Sequence, residues 1–479
     1  MKKSIKRNFL YNILLNISKV IFPLITAPYV SRILEPDGVG LFNFANTYAN
    51  YFAFFAALGI PLYGIREIAK IKDDVAEQTR FVSEIVSISI VSTIICTLVL
   101  FFSLLWVPQL TENYVIFLVA ATILYTTPFK IDWFFSGKEE FGYITFRSLV
   151  IKTLSVILLF VLVREKSDLL TYVALNAGAL VLNELWNFVK LYNQGIHPYF
   201  TLSGKRHIKP LLILFSSSIA ISIYAILDTL MLGFMTNYDE VGYYNCATHI
   251  VRAFTPVVTS LATVILPRMT ILKEKGEWEE ANILINKSFS VVGYLSIPLA
   301  IGIASISSIF VPLFFGSQFY GTVLPLQIMT IIIIAIGFNN LTGIQILLGL
   351  GLDKLFLYSI LAGTITNFIL NLCLIPFYGA SGAASASVVA EVTVLVVMFF
   401  YIYKNTPIRF NQGKEIFLDF LIASGIIAVA YIAHVILSGW MCVFFVIILS
   451  AVLYIVVQQL FGNSSQKILW QMFLKKLKK

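Results

Sequence analysis

Long apolar runs, separated by short polar breaks, follow one another along almost the whole chain. Many of these runs approach or exceed the roughly 20 residues that an α-helix needs to cross the hydrocarbon core of a bilayer. We therefore expect about fourteen transmembrane helices. Their predicted bounds are 9–31, 40–63, 81–106, 114–136, 144–164, 169–191, 210–235, 240–266, 285–315, 321–350, 355–377, 381–404, 415–437 and 440–461. Alternating strands of about ten residues, which are typical of outer-membrane barrels, are absent from the pattern.

The composition indicates that the chain folds in an apolar solvent. The 479 residues are 58% hydrophobic and 12% charged, whereas soluble domains carry roughly 25% charged residues. The predicted loops are too short for a soluble catalytic domain, and the sequence contains no nucleotide-binding, metalloprotease or nucleophile motif. We therefore predict an all-α integral membrane protein that is not an enzyme and uses no cofactor or metal.

Lysine and arginine are distributed unequally between the two ends of the predicted helices. If the N-terminus is cytoplasmic, the cytoplasmic tails and loops hold 26 of the 34 basic residues and the external loops hold 3. Because cytoplasmic loops are enriched in Lys and Arg, this bias predicts that both termini and the loop 192–209 are cytoplasmic. The net charge of +9 is then mostly an orientation signal, and it does not indicate binding to nucleic acid.

A nine-residue segment occurs twice, in the same position relative to two predicted helices. Residues 37–45 read DGVGLFNFA and residues 239–247 read DEVGYYNCA, with five identities and one matched pair of aromatics. We expect each glycine-containing copy to form a tight turn before the next helix. The repeat predicts two six-helix bundles, 1–200 and 201–405, followed by 406–479 with two additional helices and a basic tail. Since six is an even number, both bundles begin on the same side of the membrane.

Polar residues within the apolar runs fall on single helical faces. Asn16, Lys19 and Pro23 in the first helix are spaced by three and four residues, and His249 and Arg252 in the eighth helix are three apart. Such spacing places each set on one face of its helix. A charge at bilayer depth costs at least about 2.5–3.5 kcal/mol, so we expect these faces to line a polar interior and not to contact lipid.

The interior holds five basic residues and few acids, which predicts a cavity of positive potential. The candidate substrate contacts are Lys19, Lys152, Arg252, His249, Asn16 and Arg147. The acids that either bind a coupling ion or form structural ion pairs are Asp228, Glu391 and Asp132. For Lys130, Asp132 and Arg147, an alternative is that the side chains extend to the membrane interface. Phosphate is a natural ligand for such a cavity, because Arg and Lys donate charge-assisted hydrogen bonds to its oxygens.

The segment from residue 16 to residue 45 resembles a known family. It contains Pro23, the run TAPYVSRIL at 26–34 and the tripeptide GVG at 38–40. With its fourteen predicted helices and its internal repeat, the chain is similar to the Wzx-type polysaccharide flippases of the multidrug/oligosaccharidyl-lipid/polysaccharide exporter superfamily. The resemblance implies two helix bundles that enclose a central cavity, in the bacterial cytoplasmic membrane.

The resemblance also implies the substrate. Flippases of this type turn a repeat-unit oligosaccharide on undecaprenyl pyrophosphate from the inner to the outer leaflet, for capsule, O-antigen or a similar surface polysaccharide. The implied partners are this lipid-linked oligosaccharide, the bilayer, and the polymerase and glycosyltransferases of the same pathway. The alternative is a cation-coupled small-molecule or multidrug antiporter from another branch of the superfamily. A membrane-embedded glycan polymerase is disfavoured, because the predicted external loops are too short to form its catalytic site.

Overall fold

The computed structural model describes residues 5–259, 262–463 and 465–467, and it describes no side chains for 5, 6, 9, 217–226 and 262–264. Across these described residues the regular secondary structure is helical and contains no strand. The all-α fold class is therefore confirmed. The chain divides into two compact units, Met1–Val241 and Gly242–Lys479. The predicted boundaries of the two six-helix bundles, 1–200 and 201–405, rest on the sequence repeat, and they stay a prediction.

The first unit is built around a long N-terminal helix. Its helices are α1 (Ile5–Ala57), α2 (Ile60–Lys70), α3 (Val75–Trp106), α4 (Pro108–Thr111), α5 (Tyr114–Ala120), α6 (Thr122–Tyr125), α7 (Asp132–Gly137), α8 (Phe141–Leu162), α9 (Leu169–Asn193) and α10 (Lys205–Met235). The long helix α1 packs against α3, α8 and α10. An aromatic core forms where α2, α3 and α7 meet, around Tyr63, Phe81 and Trp133. Gly64 lies under the Trp133 ring, where a Cβ would approach a ring carbon to 2.3 Å, so this contact requires glycine.

The second unit is organised around α13. The remaining helices are α11 (Tyr238–Thr259), α12 (Ala262–Lys275), α13 (Trp278–Phe315), α14 (Val323–Asn339), a π-helix (Asn340–Leu348), α15 (Asp353–Asn405), α16 (Gly413–Ile436) and α17 (Gly439–Leu460). Helix α13 packs against α14, α16 and α17. The two C-terminal helices are thus part of this unit's packing, with Tyr294 of α13 in ring contact with Tyr454 of α17.

Nine helical segments in the described part of the chain are long and apolar enough to cross a membrane. The predicted spans 355–377 and 381–404 lie within one such segment, α15, where a single non-helical residue, Gly379, separates them. In α1, Glu35 likewise separates two spans, but the second ends at Ala57 and not at the predicted residue 63, because Gly59 adopts a left-handed conformation before α2 begins. Large apolar side chains remain exposed on the outer helices, as Phe417 and Ile448 show. Such surfaces are expected where the solvent is hydrocarbon. The multi-pass membrane fold is therefore supported, while the count of fourteen stays a prediction.

The predicted glycine turn after the first span is wrong. The helix is instead broken at Glu35, which has φ 59° and ψ 177°, and Gly38 and Gly40 already lie within helix. The break falls at Glu35 because Pro36 follows, and the residue before a proline is disfavoured in the α-helical region. The second copy of the repeat likewise begins a helix, since the side-chain oxygen of Asn237 accepts a backbone N–H of the first turn of α11 over 3.1 Å.

The single helix predicted over residues 114–136 is also wrong. The structure has three short helices there, with a 3₁₀ turn between α6 and α7. Pro128 lacks the N–H that a continuous helix needs, and the Thr126 and Thr127 hydroxyls donate to carbonyls four residues back, which bends helices. This break places Asp132 at the first turn of α7.

Candidate functional site

The N-terminal part of α1 presents its polar face as a hydrogen-bonded ladder. The Asn16 amide donates to the side-chain oxygen of Asn12 over 3.1 Å, and the Lys19 ammonium donates to the side-chain oxygen of Asn16 over 3.3 Å. All three side chains are exposed. Because a lysine ammonium has three N–H donors and this contact uses one, Lys19 can also bind an anionic ligand.

Lys152 of α8 lies against the same part of α1. Its ammonium donates to the Ser18 hydroxyl over 3.1 Å and lies 5.6 Å from the centre of the Phe22 ring, which is a cation–π distance. The charges of Lys152 and Lys19 repel each other. Among the described residues, the polar contacts of both ammonium groups are to neutral side chains. The structure therefore brings two of the predicted cations together without a carboxylate to compensate them.

Arg147, five residues before Lys152 on α8, has a different environment. Its guanidinium donates to the Asp132 carboxylate over 2.8 Å, to the side-chain oxygen of Asn183 over 3.1 Å and to that of Asn187. Only 1% of the residue is exposed, which excludes the alternative that Arg147 extends to the membrane interface. Every guanidinium nitrogen has a protein partner, so this side chain is held in place and its charge is matched.

Three polar residues of α9 complete this network, and sequence reasoning missed them. Asn187 donates to Asp132 over 3.1 Å and to Glu184 over 3.0 Å. The Lys130 ammonium donates to the backbone oxygen of residue 123 over 3.1 Å, and Glu184 and Asp132 attract its charge. The available signal was the spacing of Asn183, Glu184 and Asn187, which share one turn and a half of an otherwise apolar helix.

His249 and Arg252 lie one helical turn apart on α11. Both residues are exposed, and the positive charge of Arg252 is close enough to His249 to interact electrostatically with its ring. The helix that carries them begins with the second copy of the repeat. The predicted polar face of α11 is therefore present in the structure, and its role in substrate binding stays a prediction.

The two predicted interior acids have distinct surroundings. The Glu391 carboxylate of α15 accepts a hydrogen bond from the Asn339 amide over 2.6 Å, and the same amide donates to the backbone oxygen of Glu391 over 3.0 Å. Asn339 ends α14 and directly precedes the π-helix, a type of element that is frequent at functional sites. Asp228 of α10 is buried, with 9% exposed. The role of both acids in ion coupling stays a prediction.

A further buried polar pair on α15 was not predicted. The Asn371 amide donates to the side-chain oxygen of Asn367 over 3.1 Å, and both residues are fully buried. Their spacing of four residues within an apolar run is the signal that could have identified them.

Among the described residues, the charged side chains of the predicted interior are thus of two kinds, those paired with an opposite charge and those that are not. Arg147 and Asp132 compensate each other, and such a pair fixes neighbouring helices. Lys19 and Lys152 are adjacent cations, and each costs free energy at bilayer depth until an anion approaches. The α1–α8 junction can therefore bind an oxyanion such as a phosphate group.

Residues 5–273 match the family described as "Polysaccharide biosynthesis protein". A protein of Escherichia coli (strain K12) named "Putative O-antigen transporter" is 26% identical over 415 residues, which cover 84% of this chain and 98% of that protein. A protein of the same name from Shigella dysenteriae is 21% identical over 401 residues, which cover 82% of this chain and 98% of that protein.

Two solved structures share the fold. One is described as "Lipid II flippase MurJ, inward closed conformation", with a TM-score of 0.76 and 14% identity over 95% of this chain and 98% of that one. The other is an inward-facing multidrug resistance MATE family transporter of the MOP superfamily, with a TM-score of 0.59 and 12% identity over 82% of this chain and 97% of that one. The match to the polysaccharide biosynthesis protein family and the O-antigen transporter relatives confirm the resemblance to Wzx-type polysaccharide flippases. Because the family match covers more than half of the chain, this protein belongs to the polysaccharide biosynthesis protein family.

Proposed function

We propose that this protein is a flippase that moves undecaprenyl-pyrophosphate-linked oligosaccharide repeat units across the cytoplasmic membrane for surface polysaccharide biosynthesis. The family match, the O-antigen transporter relatives and the fold shared with a lipid II flippase support this function. The observation that carries the proposal is the pair of adjacent cations, Lys19 and Lys152. A pyrophosphate has several negative oxygens, so both ammonium groups can bind it at once.

The chemistry of the two ends of the substrate suggests how it moves. The undecaprenyl tail stays in the hydrocarbon, because an apolar chain is more stable in lipid than in a polar path. The pyrophosphate and the sugars follow a polar, cationic path, where Lys19 and Lys152 bind the pyrophosphate and the amides of Asn12 and Asn16 exchange hydrogen bonds with sugar hydroxyls. We propose alternating access, in which this path opens first to the cytoplasmic side and then to the external side.

The remaining predicted residues take different parts in this proposal. Arg252 and His249 are proposed as further contacts to the substrate. Arg147 and Asp132 support the site by fixing α8 against α7 and α9. Glu391 and Asp228 are proposed either to bind a coupling ion or to serve as structural acids. The alternative function, a small-molecule antiporter, is supported by a shared fold alone, whereas the family and its relatives favour the flippase.

Rescue of surface polysaccharide in a flippase-deficient strain tests the proposal. Charge-assisted contacts are worth about 1.5–3 kcal/mol each, and 1.4 kcal/mol is a factor of ten. We therefore expect Lys19→Ala and Lys152→Ala each to lower the rate of polysaccharide display by about tenfold or more. Lys19→Arg and Lys152→Arg keep the charge and should retain most of the rate. The amount of protein in the membrane is measured for every variant.

Lys275→Ala is the matched control, because Lys275 is an exposed lysine at the end of α12, and it should rescue as well as the unchanged protein. A Lys19→Ala/Lys152→Ala variant that is present in normal amounts and restores normal polysaccharide would contradict the cationic site. Failure of the unchanged protein to move a labelled lipid-linked oligosaccharide in liposomes, under conditions in which it exports small cationic dyes, would favour the antiporter.

A further inference from the structure

The loop that precedes α10 is held against α3, and this contact determines which of its side chains are exposed. The Ser83 hydroxyl oxygen accepts the backbone N–H of Tyr199 over 3.0 Å, and that of Ser87 accepts the backbone N–H of Thr201 over 2.9 Å. With the backbone turned toward α3, apolar side chains of the loop face outward. The exposed ones are Tyr199, Phe200 and Leu202.

The basic residues at the start of α10 separate into a paired set and an unpaired set. The exposed Arg206 and the buried His207 contact the buried Glu84 carboxylate at 2.8 Å and 2.7 Å. Lys205 and Lys209 are exposed, and no described residue forms an ion pair or hydrogen bond with either ammonium. The sequence contains no Asp or Glu from residue 185 to residue 227. Two cations one helical turn apart are therefore left uncompensated on this surface.

An open groove of about 600 Å³ runs along the same face of α10. Its lining residues are Lys205, Ile208, Lys209, Leu212, Ile213 and Ser216. The two lysines occupy the first turns, and the apolar side chains follow them into the predicted span that begins at residue 210. With a rise of 1.5 Å per residue, Leu212 lies about 10 Å along the helix axis from Lys205.

The two lysines and the apolar side chains that follow them are arranged to match the phosphate and the acyl chains of a phospholipid. A phosphate lies at the membrane interface, and acyl chains extend from it into the hydrocarbon over the following ~10 Å and more. We propose that the groove binds one anionic phospholipid of the inner leaflet, with its phosphate between Lys205 and Lys209 and an acyl chain along Ile208, Leu212 and Ile213. The lipid is a resident one and not the transported substrate, so the inference stands apart from the proposed function.

Native mass spectrometry of the purified full chain, titrated with phosphatidylglycerol, tests the site. Each basic residue near an anionic lipid surface contributes roughly a fivefold increase in affinity. We therefore expect Lys205→Gln/Lys209→Gln to weaken binding of the first phosphatidylglycerol by about 10- to 30-fold. Lys205→Arg/Lys209→Arg should bind as the unchanged protein does. The matched control is Lys275→Gln/Lys287→Gln, which removes two exposed lysines elsewhere and should leave the affinity unchanged.

A second measurement uses the unchanged protein and so does not depend on whether a variant folds. Phosphatidylglycerol with a photoactivatable acyl chain is cross-linked to the protein in bilayer nanodiscs, and the adducts are mapped by peptide sequencing. Adducts on residues 208–216 are expected. Adducts confined to other segments would overturn the proposal. So would an equal loss of lipid affinity in Lys205→Gln/Lys209→Gln and in the control Lys275→Gln/Lys287→Gln.

Competition identifies the chemical source of the bound phosphate. Phosphatidylcholine, which carries no net charge, should displace the photoactivatable lipid poorly, and inorganic phosphate at the same concentration should not displace it. Equal displacement by phosphatidylcholine would show an apolar surface without charge recognition. Displacement by inorganic phosphate, or by undecaprenyl pyrophosphate at a tenth of the lipid concentration, would assign the groove to another ligand and reject the proposal.

Discussion

At the scale of residues, the same helix holds one compensated cation and one uncompensated cation. Arg147 and Lys152 are five residues apart on α8, and both are basic residues within an apolar run. Arg147 contacts Asp132 at 2.8 Å, while Lys152 contacts the Ser18 hydroxyl. A buried guanidinium with matched charge serves structure, whereas an ammonium beside a second ammonium favours an anionic ligand. Replacement of Arg147 should therefore mainly lower stability, and replacement of Lys152 should mainly lower transport.

Removal of the Arg147 side chain should destabilise the protein. Arg147→Ala removes the donor to two asparagine oxygens and one of the two donors to the Asp132 carboxylate, which keeps the Asn187 amide. Lost partners of a buried charged group cost about 2–4 kcal/mol, reduced here because the Asp132 side chain is 50% exposed. Thermal unfolding in detergent measures the effect. Asp132→Asn keeps a hydrogen-bond acceptor beside the guanidinium and should lower the melting temperature less than Arg147→Ala does.

The comparison with Lys152 separates the two roles. Lys152→Ala is expected to leave the melting temperature nearly unchanged and to lower transport. Arg147→Ala should lower the melting temperature, and its transport, corrected for the amount of protein in the membrane, should fall by less. If Arg147→Ala melts like the unchanged protein and abolishes transport, Arg147 contacts the substrate and the structural assignment is wrong.

At the scale of elements, a buried hydrogen-bond chain connects α2, α3 and the start of α10. The Tyr63 hydroxyl lies 2.7 Å from Nδ1 of His207, and Nε2 of His207 lies 2.7 Å from the Glu84 carboxylate. His207 precedes the apolar span predicted from residue 210. Burial lowers the pKa of His207 below its ordinary value, although the hydrogen bond and the charge of Glu84 act in the opposite direction. The neutral ring is therefore the form that the folded protein favours.

This preference gives the network a defined pH dependence. The unfolded chain, with a histidine pKa of about 6.5, binds a proton more readily than the folded chain does. The contribution of His207 to stability is then complete above about pH 6.5 and is lost as the pH falls through the lowered pKa. Thermal unfolding between pH 5 and pH 8 measures it. The unchanged protein should lose melting temperature below about pH 6.5 more steeply than His207→Gln, and parallel curves for the two would contradict the prediction.

The apolar pattern predicted most helices but not where they are interrupted. Hydrophobic run length identifies a span, because the bilayer sets that length. Local backbone chemistry decides the breaks, and a run-length argument does not include it. Pro128 with its neighbouring threonines interrupts the run 114–136, and Glu35 before Pro36 forms the break that was predicted at the glycines. The π-helix after Asn339 gave no signal in the apolar pattern.

The candidate site could be predicted in part. Helical spacing placed Asn16 and Lys19 on one face, and the structure joins them by a hydrogen bond. Depth in the membrane did not distinguish Lys152 from Arg147, because compensation of a charge depends on side chains that are distant in sequence. Asn183 and Asn187, which contact Arg147, are 36 and 40 residues away. A single sequence carries no information on such pairings.

At the scale of the whole molecule, the distribution of charge and of apolar surface indicates one membrane topology. The excess of basic residues in alternate loops concerns the orientation of the chain, and so does the proposed position of the α10 groove in the inner leaflet. Since the predicted spans place 26 basic residues on one side and 3 on the other, we predict that the loop 192–209 is cytoplasmic and that the segment before α9 is external.

Single-cysteine labelling in intact cells tests this orientation. The four native cysteines, Cys96, Cys246, Cys373 and Cys442, are unpaired thiols and are first replaced by serine or alanine, with transport verified. Ser167 and Ser203 are exposed and lie in segments of opposite predicted sides, so Ser167→Cys and Ser203→Cys form a matched pair. A membrane-impermeant thiol reagent should label Ser167→Cys in intact cells and Ser203→Cys only after permeabilisation, because a cysteine on the cytoplasmic side is shielded by the bilayer. The reverse result would reject the predicted topology, and with it the placement of the α10 groove in the inner leaflet.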